Sequence, residues 1–104
     1  MKSTIDKINK FRDDRDWRKF HNEKDLAISI SLEANELLEI FQWKTSEEAV
    51  ANNLEHIKEE LADVFIYGLM LADNLNLDVE KIISDKIKLN EKKYRTWLTT
   101  ATII

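Results

Sequence analysis

The chain contains no proline and a single glycine, Gly68, among its 104 residues. Sheet proteins depend on turns, and turns use these two residue types heavily, because glycine reaches positive φ and proline fixes the turn backbone. Charged residues make up 35% of the chain and apolar residues 43%, a balance that is typical of amphipathic helices. The sequence therefore predicts an all-α fold, and its length predicts one domain.

Several classes of protein are disfavoured by composition. The chain has no cysteine, so it offers no disulfide, thiolate nucleophile or cysteine-based zinc site. Its N-terminal residues include no apolar signal segment, and the uncharged run 64–72 is too short to span a bilayer. The net charge is −4 and no basic stripe is present, which argues against binding to duplex nucleic acid. We therefore expect a cytoplasmic protein that binds neither membranes nor duplex nucleic acid.

The segment 28–43 predicts a helix that is apolar on most sides and still carries three acidic residues, Glu33, Glu36 and Glu39. On a helical wheel Glu33 falls inside the apolar arc and Glu36 lies at its edge. A helix that is apolar on most sides is buried on most sides, and a buried carboxylate is costly unless it is paired, protonated or bound to metal. Pairing with lysines and binding of a metal ion both remain open on this evidence.

A second acidic pair, Glu60 and Asp63, precedes the uncharged run and is also spaced three apart, so its members share a helix face. If the two helices pack antiparallel, four carboxylates come together, and they cannot all ionise in a partly buried cleft without cations. Ligand sets made only of oxygen suit Mg²⁺ or Mn²⁺. A di-iron site would need a Glu-x-x-His pattern, which neither pair has.

The helix pattern predicts four long helices and one short one. We expect a first helix from residue 3 to about 15, with Ser3 as a possible cap, and a second from about Asp25, as its N-cap, to about Trp43. The other predicted helices are a short helix over 47–52, a third helix over 54–75 and a fourth helix that begins after Asp78. The expected N-cap is Thr45 or Ser46 for the short helix and Asp78 for the fourth helix. The uncharged tail 96–104 is expected to dock on the domain or on a partner subunit.

Two further groups of residues allow a structural and a functional interpretation. The connector 14–22 contains Trp17, Phe20 and His21. Either Trp17 and Phe20 fill the core, or the segment forms a lid that stacks on a nucleobase, since aromatic faces and a histidine suit nucleobases. Lys86, Asn90 and Lys93 fall on one line of the fourth helix, where they are either solvated surface residues or phosphate ligands. Neither choice is decided by the pattern alone.

Four segments carry a resemblance that covers residues 5–94: they are FRDDRDWRKFH, SLEANELLEIFQWK, EELADVFIYGLMLA and KIKLNEKKY. Taken together and in this order, they resemble the MazG-like, all-α nucleoside triphosphate pyrophosphohydrolases, and within them the dCTP-pyrophosphatase-like branch. The segment after His21 reads Asn-Glu-Lys-Asp, where relatives often show Pro-Arg-Asn, so the base-side loop departs from the family pattern.

The resemblance implies a domain over residues 1–95, followed by the tail 96–104. It implies a bundle of four to five helices that is completed by homo-oligomerisation, as a homodimer or homotetramer. It implies hydrolysis of a nucleoside triphosphate, with dCTP as one candidate, to the monophosphate and pyrophosphate, either for control of the nucleotide pool or for removal of non-standard nucleotides.

The resemblance also implies roles for individual residues. The expected ligands of Mg²⁺, or of Mn²⁺ in its place, are Glu33, Glu36, Glu60 and Asp63. The residues expected to bind the base are Trp17, His21 and Trp43. The residues expected to bind phosphates are Lys86, Asn90, Lys93 and Tyr94.

A carboxylate that is not occupied by metal, Glu36 or Glu39, is the expected catalytic group, because it could orient the attacking water. Two alternatives remain open. The chain could be a non-catalytic helical oligomeric binding or assembly module whose acidic clusters form structural salt bridges. It could also be a dUTPase-like or phosphoribosyl-ATP pyrophosphohydrolase relative, which would keep the chemistry and change the substrate.

Overall fold

The fold is all-α, as the sequence predicts, in a computed structural model that describes residues 1–94. The described elements are helices α1 (Lys2–Asp14), α2 (Glu23–Phe41), α3 (Ser46–Asn74) and α4 (Val79–Lys93), with a short 3₁₀ turn at Arg18–Phe20 between α1 and α2. The prediction for the tail 96–104 lies outside the described residues.

Helices α2 and α3 form the centre of the fold. They are joined by the four-residue link 42–45 and pack side by side as an antiparallel pair, and α1 packs on α3. The buried apolar side chains are few: they are Leu26 and Ile40 on α2 and Ala49, Met70 and Ala72 on α3. A core this small fixes the register of the α2–α3 pair, and it leaves most of the apolar surface of the chain uncovered.

Apolar side chains are exposed on α2 and α4. On α2, Leu32 and Leu38 are each 59% exposed, so the helix predicted to be buried on most sides is not buried by this one chain. Helix α4 packs less closely on the rest of the described chain than α1 does, and its Ile83 and Ile87 are more than half exposed. A groove of about 430 Å³ runs between α2, α3 and the start of α4 and has an almost wholly apolar lining. Contiguous exposed apolar surface of this kind marks interaction surfaces.

Two predicted helix starts are wrong. Asn22, and not Asp25, caps α2: its side-chain Oδ1 accepts a hydrogen bond from the backbone N–H of Asp25 at 2.8 Å. The two residues stand three apart and both favour caps, but the chain is extended at Asn22 and already helical at Asp25. Helix α1 begins at Lys2 with Met1 as its N-cap, so Ser3 lies inside the first turn.

The link between α2 and α3 differs from its prediction at one end only. Helix α2 ends at Phe41, two residues before the predicted end, because Gln42 is extended and Trp43 adopts a left-handed backbone with φ 62°. The cap predicted at Thr45 is confirmed, since Thr45 Oγ1 accepts a hydrogen bond from the N–H of Glu48 at 3.1 Å. The cap predicted at Asp78 for α4 is confirmed in the same way.

The predicted helices 47–52 and 54–75 are one helix, α3, with a kink between them. At Asn53 the backbone leaves helical geometry, with φ −132° and ψ 24°. The sequence therefore placed the break correctly, although the helix resumes at once instead of ending there. None of the described helices has the length and hydropathy that crossing a bilayer requires.

We predict that Asn22→Ala lowers the free energy of unfolding by about 1 kcal/mol, because the N–H of Asp25 loses its acceptor. Asn22→Ser is the matched control, since serine also caps helices well and should retain most of the stability. Urea denaturation at one fixed protein concentration measures both. Equal stability of the alanine and serine variants would contradict the assignment of Asn22 as the cap.

Candidate metal centre and flanking cavities

Three carboxylates from two helices meet at the middle of the α2–α3 pair. Glu33 and Glu36 on α2 and Glu60 on α3 each place one oxygen within 4.8 Å of the others. The three-residue spacing on α2 turns both of its side chains to one face, and the antiparallel packing brings Glu60 opposite them. Asp63 does not join the three oxygens, but it lies close enough for its charge to act on Glu33.

Basic partners are missing from this carboxylate cluster, which we define as Glu33, Glu36 and Glu60. Within residues 1–94, neither Glu33 nor Glu36 has a lysine, arginine or histidine nitrogen within 4 Å, and Glu60 has only His56, at 3.4 Å. Oε2 of Glu33 and Oε2 of Glu60 are both buried without a hydrogen-bond partner. Oxygen atoms of this kind are expensive to bury unless a cation or a donor reaches them.

The electrostatic cost of the cluster is visible in the pKa of Glu33. Burial and, after it, the neighbouring carboxylates of Glu60, Glu36 and Asp63 together raise this pKa from its usual 4.5 to about 7. Burial, followed by the negative charges of Glu33, Asp63 and Glu36, also raises the pKa of Tyr67. An all-oxygen donor set with uncompensated negative charge fits a hard divalent cation such as Mg²⁺.

A polar cavity of about 360 Å³ opens on one side of the cluster. Glu36 and Glu60 line it from the cluster, and Lys44, Asn53 and His56 line it beyond. The kink in α3 therefore stands at the wall of this cavity. Lys44 and His56 were not identified as site residues from the sequence. Lys44 is a single lysine after a helix, and His56, although it shares a helix face with Glu60, has the i, i+4 spacing of an ordinary ion pair.

Glu39, one of the two predicted catalytic residues, lines the same polar cavity as Glu36. Its side chain is exposed, and its Oε1 accepts a hydrogen bond from the Asn35 amide at 3.2 Å. Glu36 belongs to the carboxylate cluster and Glu39 does not. The two glutamates thus occupy different positions, one within the group of oxygens and one beside it.

An aromatic cavity of about 350 Å³ opens on the other side, and Asp63 forms part of its wall. Trp17, His21 and Tyr67 line it together with Phe11, whose ring meets that of Trp17 edge to face at a centroid distance of 5.4 Å. The structure thus brings together Trp17 and His21, two of the three residues predicted to bind a base. Phe11 and Tyr67 were not identified from the sequence, because helical periodicity gives them the same pattern as ordinary core residues.

His21 is held neutral in this cavity. Burial lowers its pKa, and the positive charge of Arg12 lowers it further. Its Nδ1 atom is buried and has no hydrogen-bond partner. A neutral imidazole offers one donor and one acceptor, which suits the uncharged edge of a nucleobase.

The remaining predicted residues lie apart from both cavities of the single chain. Trp43 is 99% exposed and lines neither the polar nor the aromatic cavity. The predicted phosphate ligands belong to the exposed α4 and its C-cap and line neither cavity: they are Lys86, Asn90, Lys93 and Tyr94. The Lys93 ammonium lies 5.1 Å from the centre of the Tyr94 ring. Within one described chain, these residues are therefore not brought to the carboxylate cluster.

Comparisons with known proteins are consistent across three kinds of search. The sequence model of the MazG-like family matches residues 28–97. A pyrophosphatase from Archaeoglobus fulgidus has a solved structure that superposes with a TM-score of 0.87 at 41% identity, over 92% of this chain and 93% of that one. Human dCTP pyrophosphatase 1 is 32% identical over an alignment of 97 positions, and the alignment covers 88% of this chain and 57% of the human protein.

The mouse dCTP pyrophosphatase 1 is likewise 32% identical, over 94 residues. The chain spans little more than half the length of these curated relatives, 57% of the human protein and 55% of the mouse protein. The match to the MazG-like family model, over residues 28–97, includes both acidic pairs.

We predict that the metal-free protein loses stability as the pH rises from about 4.5 to about 7, the interval between the ordinary and the raised pKa of Glu33. In this interval the unfolded chain releases the proton of Glu33 while the folded chain keeps it, so the unfolded state is favoured as pH rises. Glu33→Gln should remove roughly 1–3 kcal/mol of this decline, since one pKa unit corresponds to about 1.36 kcal/mol and Glu33 is partly exposed.

Urea denaturation in the presence of EDTA, repeated across this pH interval, measures the effect. Glu59→Gln is the matched control, because Glu59 is an exposed carboxylate next to the cluster in sequence. Parallel stability profiles for wild type and Glu33→Gln would contradict the assignment.

Proposed function

The chain belongs to the MazG-like family, and on that basis we propose that it is a metal-dependent nucleoside triphosphate pyrophosphohydrolase. It would cleave between the α and β phosphates and release a nucleoside monophosphate and pyrophosphate. The observation that carries the proposal is the carboxylate cluster: three glutamate oxygens within 4.8 Å of one another, on a face without a lysine or arginine partner in residues 1–94. The names of the relatives, dCTP pyrophosphatase and pyrophosphatase, support the same reaction and make dCTP the first substrate to test.

The residues fit a divalent cation, Mg²⁺ or in its place Mn²⁺. Glu33, Glu36 and Glu60 would hold it, with Asp63 as the fourth ligand. The two buried oxygens on Glu33 and Glu60 support this assignment, because neither has a hydrogen-bond partner within residues 1–94. When bound, the cation would neutralise phosphate charge and make a bound water more acidic.

We propose that the two cavities beside the cluster bind different parts of the substrate. We assign the nucleobase to the aromatic cavity, where Trp17 offers a ring for stacking and His21 offers a neutral imidazole. We assign the phosphates to the polar cavity, where Lys44 and His56 stand opposite the carboxylates. The substrate would then span the cluster, with its α and β phosphates beside the three glutamates.

Glu39 is our candidate for the group that orients the attacking water. It lines the polar cavity but lies outside the carboxylate cluster, so it is free to accept a proton from water while Glu36 serves as a ligand. Water would attack the phosphorus of the α phosphate and give a proton to Glu39. The bond from this phosphorus to the oxygen that bridges the α and β phosphates would break, and pyrophosphate would leave with the electron pair. Such transfer depends mainly on positioning and charge stabilisation.

The alternative of a non-catalytic assembly module is less well supported. That alternative requires the acidic residues to form structural salt bridges. Within residues 1–94, the acidic side chains that do form ion pairs with lysine or arginine lie elsewhere, for example Asp73 and Asp85.

We also propose a location in the cytoplasm, because the proposed substrates, nucleoside triphosphates, are available there.

We further propose that the active enzyme is a homodimer or homotetramer in which each site takes residues from two chains. Within residues 1–94, apolar side chains on α2 and α4 are exposed, and the proposed phosphate ligands on α4 and its C-cap line neither cavity beside the cluster of their own chain. Trp43 is fully exposed on a left-handed backbone and would contact a second copy. A closed oligomer would bury these faces and bring Lys86, Asn90, Lys93 and Tyr94 of one protomer toward the cluster of another.

The central experiment is an assay of pyrophosphate release across the common dNTPs and NTPs with Mg²⁺. We expect monophosphate and pyrophosphate as products, and loss of activity in EDTA. Glu36→Gln and Asp63→Asn should each nearly abolish turnover, and their combination should be little worse, because residues that act as one unit give non-additive losses. Release of single phosphates, or activity that persists in EDTA, would refute the proposal.

Melting curves of the same variants supply the structural control. The metal-free Glu36→Gln protein should melt at or above the wild-type temperature, because one negative charge leaves a crowded cluster. It should also lose most of the rise in melting temperature that Mg²⁺ gives to the wild type. If the cluster were a salt-bridge network, the variant would melt lower and Mg²⁺ would have no effect on either protein.

Subunit mixing tests the two-chain site. Asp63→Asn and Lys86→Ala should each be nearly inactive alone. A mixed dimer has one site with both residues intact, so random mixing in equal amounts should restore about a quarter of wild-type activity. As the matched control, mixing Asp63→Asn with Glu36→Gln should restore nothing, because both changes lie on the same chain's cluster. Absence of recovery in the first mixture would show that Lys86 and Asp63 do not act on a site shared between chains.

A further inference from the structure

Arg12 is a fully buried charged residue on α1, next in sequence to Phe11 of the aromatic cavity. Its side chain has no solvent exposure. The guanidinium donates to Asn9 Oδ1 at 2.8 Å, to Asp73 Oδ2 at 3.3 Å and to Asn74 Oδ1 at 3.4 Å, whereas its Nε has no partner. Burial is also the main reason that the pKa of Arg12 is lowered.

Stability alone does not account for a guanidinium in this position. The one carboxylate that Arg12 contacts, Asp73, is partly exposed and is shared with Arg18 at 3.5 Å. The cost of removing a charge from water commonly exceeds what one such partner returns, and an apolar side chain of similar volume often serves as well or better. A methionine at this position would fill the space without that cost.

The contacts of Arg12 lead to two residues of the aromatic cavity. The carbonyl oxygen of Arg12 accepts the backbone N–H of Trp17 at 2.9 Å. Asn74, whose Oδ1 faces the guanidinium, donates from its Nδ2 to the carbonyl oxygen of His21 at 2.6 Å. The guanidinium therefore fixes which way the Asn74 amide faces, because with the amide reversed two donors would meet and the carbonyl of His21 would lose its partner.

We propose that Arg12 is a positioning residue for the nucleobase: through Asn74 its guanidinium holds His21 in the arrangement that accepts the base, beside Trp17, whose N–H is bound by the main chain of Arg12. The inference rests on the proposed function, since it takes the aromatic cavity to be the base site. Arg12 and Asn74 touch neither the cavity nor the carboxylate cluster, so they act on substrate only through the two residues they hold.

The charge of Arg12 also affects the protonation of His21. It adds to burial in keeping the His21 imidazole neutral, with both a donor and an acceptor available. Burial is the larger cause of the lowered pKa of His21, and the charge of Arg12 acts in the same sense.

Two substitutions test the relay. Arg12→Met keeps the volume and removes the charge and donors. Asn74→Asp keeps an acceptor for Arg12, and adds a negative charge beside it, but can no longer donate to the His21 carbonyl. Each should raise the KM for the preferred dNTP about tenfold, equal to about 1.4 kcal/mol, and leave kcat within about threefold of wild type. Lys10→Met, an exposed lysine on the same helix, is the control and should change neither constant.

Binding of the four 2′-deoxynucleosides, measured by calorimetry without metal, separates this inference from the proposed reaction. The affinity for the preferred deoxynucleoside should fall in Arg12→Met and Asn74→Asp, whether or not the wild type releases pyrophosphate. If the wild type binds no deoxynucleoside, or if both variants bind as the wild type does, the inference is overturned. A wild-type KM and deoxynucleoside affinity in Asn74→Asp would overturn the inference even where Arg12→Met fails to fold.

Discussion

Repulsion among carboxylates on the α2–α3 pair is the constraint on which the rest of the structure depends. Glu33, Glu36 and Glu60 converge although no ammonium or guanidinium group of residues 1–94 neutralises Glu33 or Glu36. The helices pack together, and Leu26 and Ile40 of α2 and Met70 of α3 are among the buried apolar side chains. Hydrophobic contacts therefore hold in place a group of charges that would separate if left to itself. Glu33 and Glu36 therefore require a positive charge that residues 1–94 do not supply.

The sequence predicted the parts of this arrangement that follow from local spacing. Pairs of acidic residues three apart must share a helix face, so the partnership of Glu33 with Glu36 could be anticipated. The absence of proline and the single glycine were enough to predict an all-α fold. What could not be predicted is where local preferences are evenly balanced. Asn22 and Asp25 are both good caps, and only the backbone conformation decides between them.

Contacts between distant segments were also beyond the sequence. Phe11, Trp17 and Tyr67 line one cavity because of the way α1 packs on α3, and helical periodicity does not predict that packing. The hydrogen bonds from Arg12 to Asn74 and from Asn74 to His21 each join residues that are more than fifty positions apart. Conversely, the spacing of Lys86, Asn90 and Lys93 was correctly described as one line on a helix, but a single chain does not bring that line to the cluster. Its completion by a second chain is the part of the site that we propose.

The short link between α2 and α3 has a consequence for how the protein forms. Only residues 42–45 separate the two helices, so their pairing closes a small loop and involves little loss of chain entropy. Contacts that are local in sequence form quickly, on the scale of microseconds to milliseconds in helical domains. Association of chains is slower and depends on concentration. Where the site is shared between chains, helical content returns early after dilution from denaturant, and activity returns later at a rate set by how often two chains meet.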